Sequence, residues 1–371
     1  MAKKALITIN NNYRKIKKGL ITVDGVYGKI KKAFITIDGV YRPCWSGGEL
    51  AYYGTITNLS VARGNLAATS VGNYALFGGG YNGTVQSTVN AYNKSLTRTN
   101  KSLSVARGSL SATSIGDYAL FGGGYNFLST KYATVDAYNT SLTRSTPTAL
   151  SSTTNSPSAT SVGDYALFIG DNVSQFTNAY NKSLTRSIPT SFQPARNGHT
   201  ATSVGDYALF GGGYSSSYGY TAFVDAYDKS LTRTAPTALS QARQSLSATS
   251  IGDYALFGGG LGGSTSSPSR SSTVDAYDKS LTRSTPTALS VARNILAATS
   301  VGDYALFGGG YGASRSSTVD AYDKSLTRTN PTLLNVARSA LAATSIGDYA
   351  LFGGGTTDSG YSAVVDAYTV A

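Results

Sequence analysis

The 371-residue sequence holds one His (His199), one Cys (Cys44) and one Glu (Glu49). One His and one Cys cannot build a multi-His metal site or a Cys/His cluster. A Ser-His-Asp triad would need His199 beside a matched Ser and Asp, and nothing in the sequence singles out such a pair. A Glu-based glycosidase pair is excluded, although two Asp could still serve. A lone Cys permits no intrachain disulfide, so the fold must close without one. Proline is scarce, with 9 residues, and charged residues make up only 13%. No apolar run approaches the length of a membrane span. The opening MAKKALITINNNY has neither an apolar h-region nor a small-residue cleavage site. The expectation is therefore no Sec signal. A protein acting outside the cell that made it would then leave by another route, such as lysis from within a virus particle.

What is abundant is Gly (42) and Tyr (27), with Thr and Val beside them. That mixture suits short strands joined by tight turns. The net charge of +12 is uneven: residues 1–44 hold ten Lys/Arg against Asp24 and Asp38, which gives +8 and leaves +4 for the rest. The basic character belongs to an N-terminal arm. Its Lys residues follow a hairpin pattern that reads as the solvated face of a small sheet, and neither nucleic acid nor a membrane is expected as a partner.

Two repeat systems divide the chain. In the arm, Lys3–Ile9, Lys17–Val23 and Lys31–Ile37 recur every 14 residues, each followed by Asn-Asn or Asp-Gly and then Tyr13, Tyr27 or Tyr41. Asp24-Gly25 and Asp38-Gly39 between β-rich runs are two-residue hairpin signals. Residues 1–46 read as a small hairpin-repeat arm. Each unit is too small to bury a face alone, so the arm is expected to pack on itself, on a sister subunit or on another protein.

Residues 47–371 repeat every 42–50 positions. Tyr-Ala-Leu-Phe begins at Tyr74, Tyr118, Tyr165, Tyr207, Tyr254, Tyr304 and Tyr349, followed by Gly-Gly-Gly in all copies but the third, which has Ile169-Gly170-Asp171. A second string ends at Tyr92, Tyr138, Tyr180, Tyr227, Tyr277, Tyr322 and Tyr368; a third, Ser-Leu-Thr-Arg, occurs six times, at Leu96, Leu142, Leu184, Leu231, Leu281 and Leu326. Seven, seven and six copies predict an all-β, seven-bladed propeller with four strands per blade. Strand a is Leu-Ala-Ala-Thr-Ser-Val, strand b Tyr-Ala-Leu-Phe-Gly, strand c Thr-Val-Asp-Ala-Tyr and strand d Leu-Thr-Arg-Thr. The orphan segment Leu50–Thr57 supplies the missing outer strand of the last blade, which removes both exposed edges. No stretch has a capped 3.6-residue period, so almost no helix is predicted.

These strings resemble kelch repeats. Blade four carries the pattern most fully, with Arg196, His199, Gly205-Asp206-Tyr207, Gly211-Gly212 and Tyr227-Asp228. The other blades replace the His with Leu, blade three has Asn155 for the Arg, and Arg233 and its equivalents hold the Trp position. The resemblance implies a propeller and little about chemistry. The arm resembles short hairpin repeats at the starts of tail-associated and other virion proteins of phages that infect Gram-positive bacteria, through Asp24–Lys32 and Asp38–Trp45. It implies docking to a particle.

Recurrence, six-fold for the Gly-Asp turns and five-fold for the strand-c Asp residues, marks both as structural, because active sites are usually singular. Gly-Gly-Gly is followed by neither a helix nor a Lys-Ser/Thr pair, so it is no phosphate loop. Two candidates for binding remain. Arg63, Arg107, Arg196, Arg243, Arg293 and Arg338 follow the d–a loop and would circle the axis, either to bind an anionic ligand or to brace carbonyls of the neighbouring blade. The b–c loops vary and are rich in aromatic and polar groups: Tyr81 and Asn82; Asn126, Phe127 and Tyr132; Asn172, Gln175 and Phe176; Tyr214, Tyr218 and Tyr220; Arg270; Tyr311 and Arg315; Asp358 and Tyr361. Variable loops on a rigid scaffold are a recognition design. The expectation is a non-enzymatic phage host-attachment protein whose loop face binds a surface glycan or wall polymer, without cofactor or metal. A kelch-type protein–protein adaptor and a wall-polymer hydrolase are the alternatives.

Overall fold

The computed structural model describes residues 20–23, 26–29, 33–37, 40–45, 48–171 and 175–370, with no α-helix among them. In the arm, Leu20–Val23 pairs antiparallel with Val26–Lys29, and Ala33–Ile37 with Val40–Trp45. The turn residues Asp24-Gly25 and Asp38-Gly39, the first repeat unit and most of the arm's Lys residues lie outside the described residues.

From Leu50 onward the chain forms seven four-stranded antiparallel sheets, with strands in the order a-b-c-d. Each strand a faces the strand a of the next blade, and the circle closes between Ala342–Ile346 of blade seven and Ala67–Val71 of blade one. The fourth strand of blade seven is Leu50–Ile56, paired antiparallel with Val365–Val370, so the N-terminal closure expected from the copy count is present. Tyr52 Oη donates to Asp366 Oδ1 at 2.6 Å across this seam.

The apolar core is divided into seven clusters, each lying between two blades. Leu76, Val89 and Ala91 of blade one, for example, meet Ala119, Phe121 and Tyr138 of blade two. Strand b is buried along nearly its whole length because it has a blade on either side. The first Gly of each triplet makes room for a neighbour: a Cβ on Gly258 would stand 2.8 Å from the Phe307 ring. The next two have positive φ, as at Gly259 (70°) and Gly260 (115°), where the chain turns away from the axis.

Two elements differ from the sequence reading. Whereas blade one has Arg98–Ser102, in blades two to six strand d is shorter than expected, only Arg233–Thr234 in blade four. Its Leu is not a strand residue at all: Leu231 has φ 62° and its equivalents match. Asp228 Oδ1 accepts the backbone N–H of Ser230 and Thr232, which closes a local turn around that Leu. On the rim formed by the a–b and c–d turns, Lys182, Lys229, Lys279 and Lys324 pair with Asp164, Asp206, Asp253 and Asp303. All eight groups are more than half exposed, so each pair contributes little.

Candidate functional site

The recurrent Arg is a buried brace, not a ligand contact. Arg63, Arg107, Arg196, Arg243, Arg293 and Arg338 are all 0% exposed. Five of them pair with the strand-c Asp of their own blade, at 2.7 Å for Arg107–Asp136 and Arg243–Asp275, 2.6 Å for Arg196–Asp225, 2.8 Å for Arg293–Asp320 and 2.5 Å for Arg338–Asp366. In blade one Asn90 Oδ1 takes the place of the carboxylate, accepting from Arg63 Nη2 at 3.0 Å. Each guanidinium also donates to a strand-b carbonyl, Phe77 O for Arg63 and Phe121 O for Arg107. These carbonyls belong to the same blade, which corrects the expectation of neighbouring-blade partners. The link between blades runs through the backbone instead: Gly80, Gly213, Gly260, Gly310 and Gly355 donate their N–H to the carbonyls of Arg107, Arg243, Arg293, Arg338 and Arg63. Desolvation lowers the pKa values of Arg107, Arg196, Arg243 and Arg338, and their Asp partners oppose it. An Arg buried this way presents no surface to an external anion.

One further loop candidate falls away. Phe176 is 4% exposed and packs in the cluster between blades two and three. Asn172 lies outside the described residues. His199 is buried in a strand-a slot, with Nε2 bonded to Gly170 O at 3.0 Å. Burial drives its pKa down to about 3, so it is neutral near pH 7.

The d–a and b–c loops do share one face. Gly64 bridges Tyr81, Gly108 bridges Tyr125, Asn197 bridges Tyr214 and Asn294 bridges Tyr311. On this face the side chains form a crescent from blade five round to blade two. Its aromatic half begins at Tyr361, which is 37% exposed. The Tyr361 ring lies edge-on to Tyr81 at 6.1 Å, Tyr81 stacks on Phe127 at 4.4 Å, and Phe127 stacks on Tyr125 at 4.2 Å. Phe127 is inserted between tyrosines of two blades with φ 62°, a conformation costly for a bulky residue. Leu128 beside it is 90% exposed. Asn126 Oδ1 shapes this loop by accepting the N–H of Leu128, Ser129 and Thr130. Asn82 Oδ1 likewise accepts from Gln86 Nε2 within its own loop.

The other half of the crescent is cationic. The Arg270 guanidinium lies 4.7 Å from the centre of the Tyr311 ring, and Arg315 lies 5.9 Å from the same ring while pairing with Asp358 at 2.5 Å. Blade four contributes a separate aromatic group, Tyr214 against Tyr220 and Tyr218 against Phe223, with Tyr218 66% exposed. Tyr132 is bridged to Thr154 at the foot of the blade-two loop. The structure therefore brings together Tyr81, Phe127, Tyr361, Tyr311, Arg270 and Arg315, while the blade-four tyrosines pair within their own loop beside the Leu261–Ser264 strand.

Tyr125, Leu128 and Gln241 were not singled out by the sequence reading. Tyr125 had a signal, since the position after the Gly triplet is Tyr in four blades: Tyr81, Tyr125, Tyr214 and Tyr311. Desolvation raises the Tyr125 pKa, with Tyr81 adding to the effect.

No protein-family model matches the chain, and no curated protein matches it in sequence. Its fold is similar to the solved structure of YjhT, with a TM-score of 0.55 at 12% identity, over 84% of this chain and 95% of that one. At that identity the likeness is one of fold alone: the chain is a seven-bladed β-propeller.

Proposed function

We propose that the chain is a phage virion protein, a tail-associated host-attachment module whose d–a/b–c face binds a surface glycan or wall polymer and catalyses nothing. In this reading residues 1–46 dock it to other virion proteins or to sister subunits. It is made in the host cytoplasm and meets its ligand outside the cell after lysis. The arm's resemblance to virion hairpin repeats supports the setting.

The observation that carries the binding half is the continuous run of Tyr361, Tyr81, Phe127 and Tyr125 across three blades. Mutual packing fixes these rings before any ligand arrives, so little side-chain entropy is lost on binding. Aromatic rings offer apolar area to the C–H faces of sugars, and the tyrosine hydroxyls offer hydrogen bonds. Absence of catalysis is supported by the burial and neutrality of His199.

The test has two arms. Protein lacking residues 1–46 is expected to fold and to be left out of particles, and its incorporation would defeat the docking half. Full-length protein is expected to bind members of a glycan array or purified Gram-positive cell walls. Capture of a specific host peptide with no saccharide binding would favour the adaptor reading instead, and release of soluble product from those walls would restore the hydrolase.

A further inference from the structure

Two parts of the crescent differ in chemistry, and the difference bears on the ligand. Arg315 is neutralised by Asp358, but the Arg270 side chain makes neither a hydrogen bond nor an ion pair among the described residues. Arg270 is exposed and ends a well-formed hairpin: Leu261–Ser264 pairs with Ser267–Arg270, and the first of these strands is anchored to Arg243-Gln244 of the d–a segment. Stacking on Tyr311 occupies the face of the guanidinium and leaves its N–H edges open.

Arg270 also lines a pocket of about 500 Å³ together with Gln241, Gly262, Gly263, Ser269 and Thr273. No acidic side chain lines it. Gln241 is turned in a defined direction. Its Oε1 accepts from Ser271 Oγ and Thr273 Oγ1, both at 2.9 Å. Ser271 Oγ in turn accepts the Thr273 N–H at 3.0 Å. With Oε1 engaged, the amide nitrogen of this pocket-lining residue has no partner among the described residues and is available as a second donor. An open guanidinium, an oriented amide and no carboxylate together make a site for anionic oxygens.

We propose that this pocket holds a phosphate or carboxylate carried by the saccharide, while the aromatic half of the crescent grips the neutral sugar rings. The inference rests on the saccharide reading above and narrows it to acidic glycans. It also assigns roles: Arg270 and Gln241 read the charge, and Tyr311 keeps the guanidinium flat and accessible.

The experiment uses full-length wild type, Arg270→Gln and Arg270→Lys on an array of neutral saccharides and their phosphorylated or uronic-acid counterparts, at low and high NaCl. Wild type should prefer the acidic members by about tenfold or more, the scale of one or two charge-assisted hydrogen bonds, and the preference should shrink with salt. Arg270→Gln should remove the preference for acidic over neutral members; Arg270→Lys, lacking the planar fork, should keep only part of it. Equal binding of acidic and neutral members by wild type, or an intact preference in Arg270→Gln, would overturn this inference and leave the saccharide reading standing. Failure to bind any saccharide would overturn both.

Discussion

Arg338 and Asp366 form an ion pair 2.5 Å long in which neither side chain is exposed. The same carboxylate accepts the Asn335 N–H at 2.9 Å and the Tyr52 hydroxyl at 2.6 Å, so one buried Asp ties together strand c, the d–a loop and the N-terminal closing strand. Removing one partner of a buried pair leaves an uncompensated charge and costs about 3–5 kcal/mol. Asp366→Ala should therefore lower stability on that scale in chemical denaturation. Asp366→Asn should cost less, because Asn90 already fills this role in blade one.

Ring closure gives a second prediction. A chain lacking residues 1–46 should melt like the intact protein. A chain lacking residues 1–57 loses the strand that pairs with Val365–Val370 and exposes the strand-c edge of blade seven. It should melt at a markedly lower temperature and associate in size-exclusion chromatography. Equal melting temperatures for the two truncations would contradict the closure.

The buried His199 predicts a pH dependence. Its pKa is pushed from 6.5 down to about 3 in the folded chain, by burial first and by Arg196 second. Between those values the unfolded chain carries a proton that the folded chain does not. Unfolding then takes up a proton, and stability falls as the pH falls through that window. Relative to His199→Leu, which installs the residue used in other blades, wild type should lose on the order of 2 kcal/mol between about pH 6.5 and pH 4.5. Parallel stability–pH curves for the two proteins would show that His199 does not titrate as described.

Phe127 separates stability from binding. Its φ of 62° is unfavourable for any residue with a Cβ, at roughly 1–2 kcal/mol. Phe127→Gly relieves that strain and removes two stacked contacts worth about 0.5–1.5 kcal/mol each. The melting temperature should hardly move, while saccharide affinity falls tenfold or more. Unchanged affinity would remove Phe127 from the site.

The architecture was legible because each signal was repeated. Strand b, the Gly-Asp turns and the orphan Leu50–Thr57 could be read by counting copies. Strand d was overdrawn because a Leu beside Thr and Arg looks like a strand, and only the Asx turn at Asp228 shows why it takes a left-handed conformation. The axial Arg residues stayed open between a ligand role and a brace, and the brace was expected across blades. Their Asp partners lie 27 to 32 residues downstream, beyond any local motif. A signal was nevertheless present: blade three loses both members at once, with Asn155 for the Arg and Asn178 for the Asp. The loop tyrosines were found through composition, but their order round the face depends on blade geometry. So does the contrast between the neutralised Arg315 and the open Arg270.

Amide hydrogen exchange with and without purified wall polymer tests the binding face most directly. The account predicts that bound polymer slows exchange in the loops around Tyr81–Gln86, Tyr125–Thr130 and Thr356–Tyr361. The opposite rim, at Asp164, Asp206, Asp253 and Asp303, should exchange as before. Protection confined to that opposite rim, or no protection on either face, would contradict it.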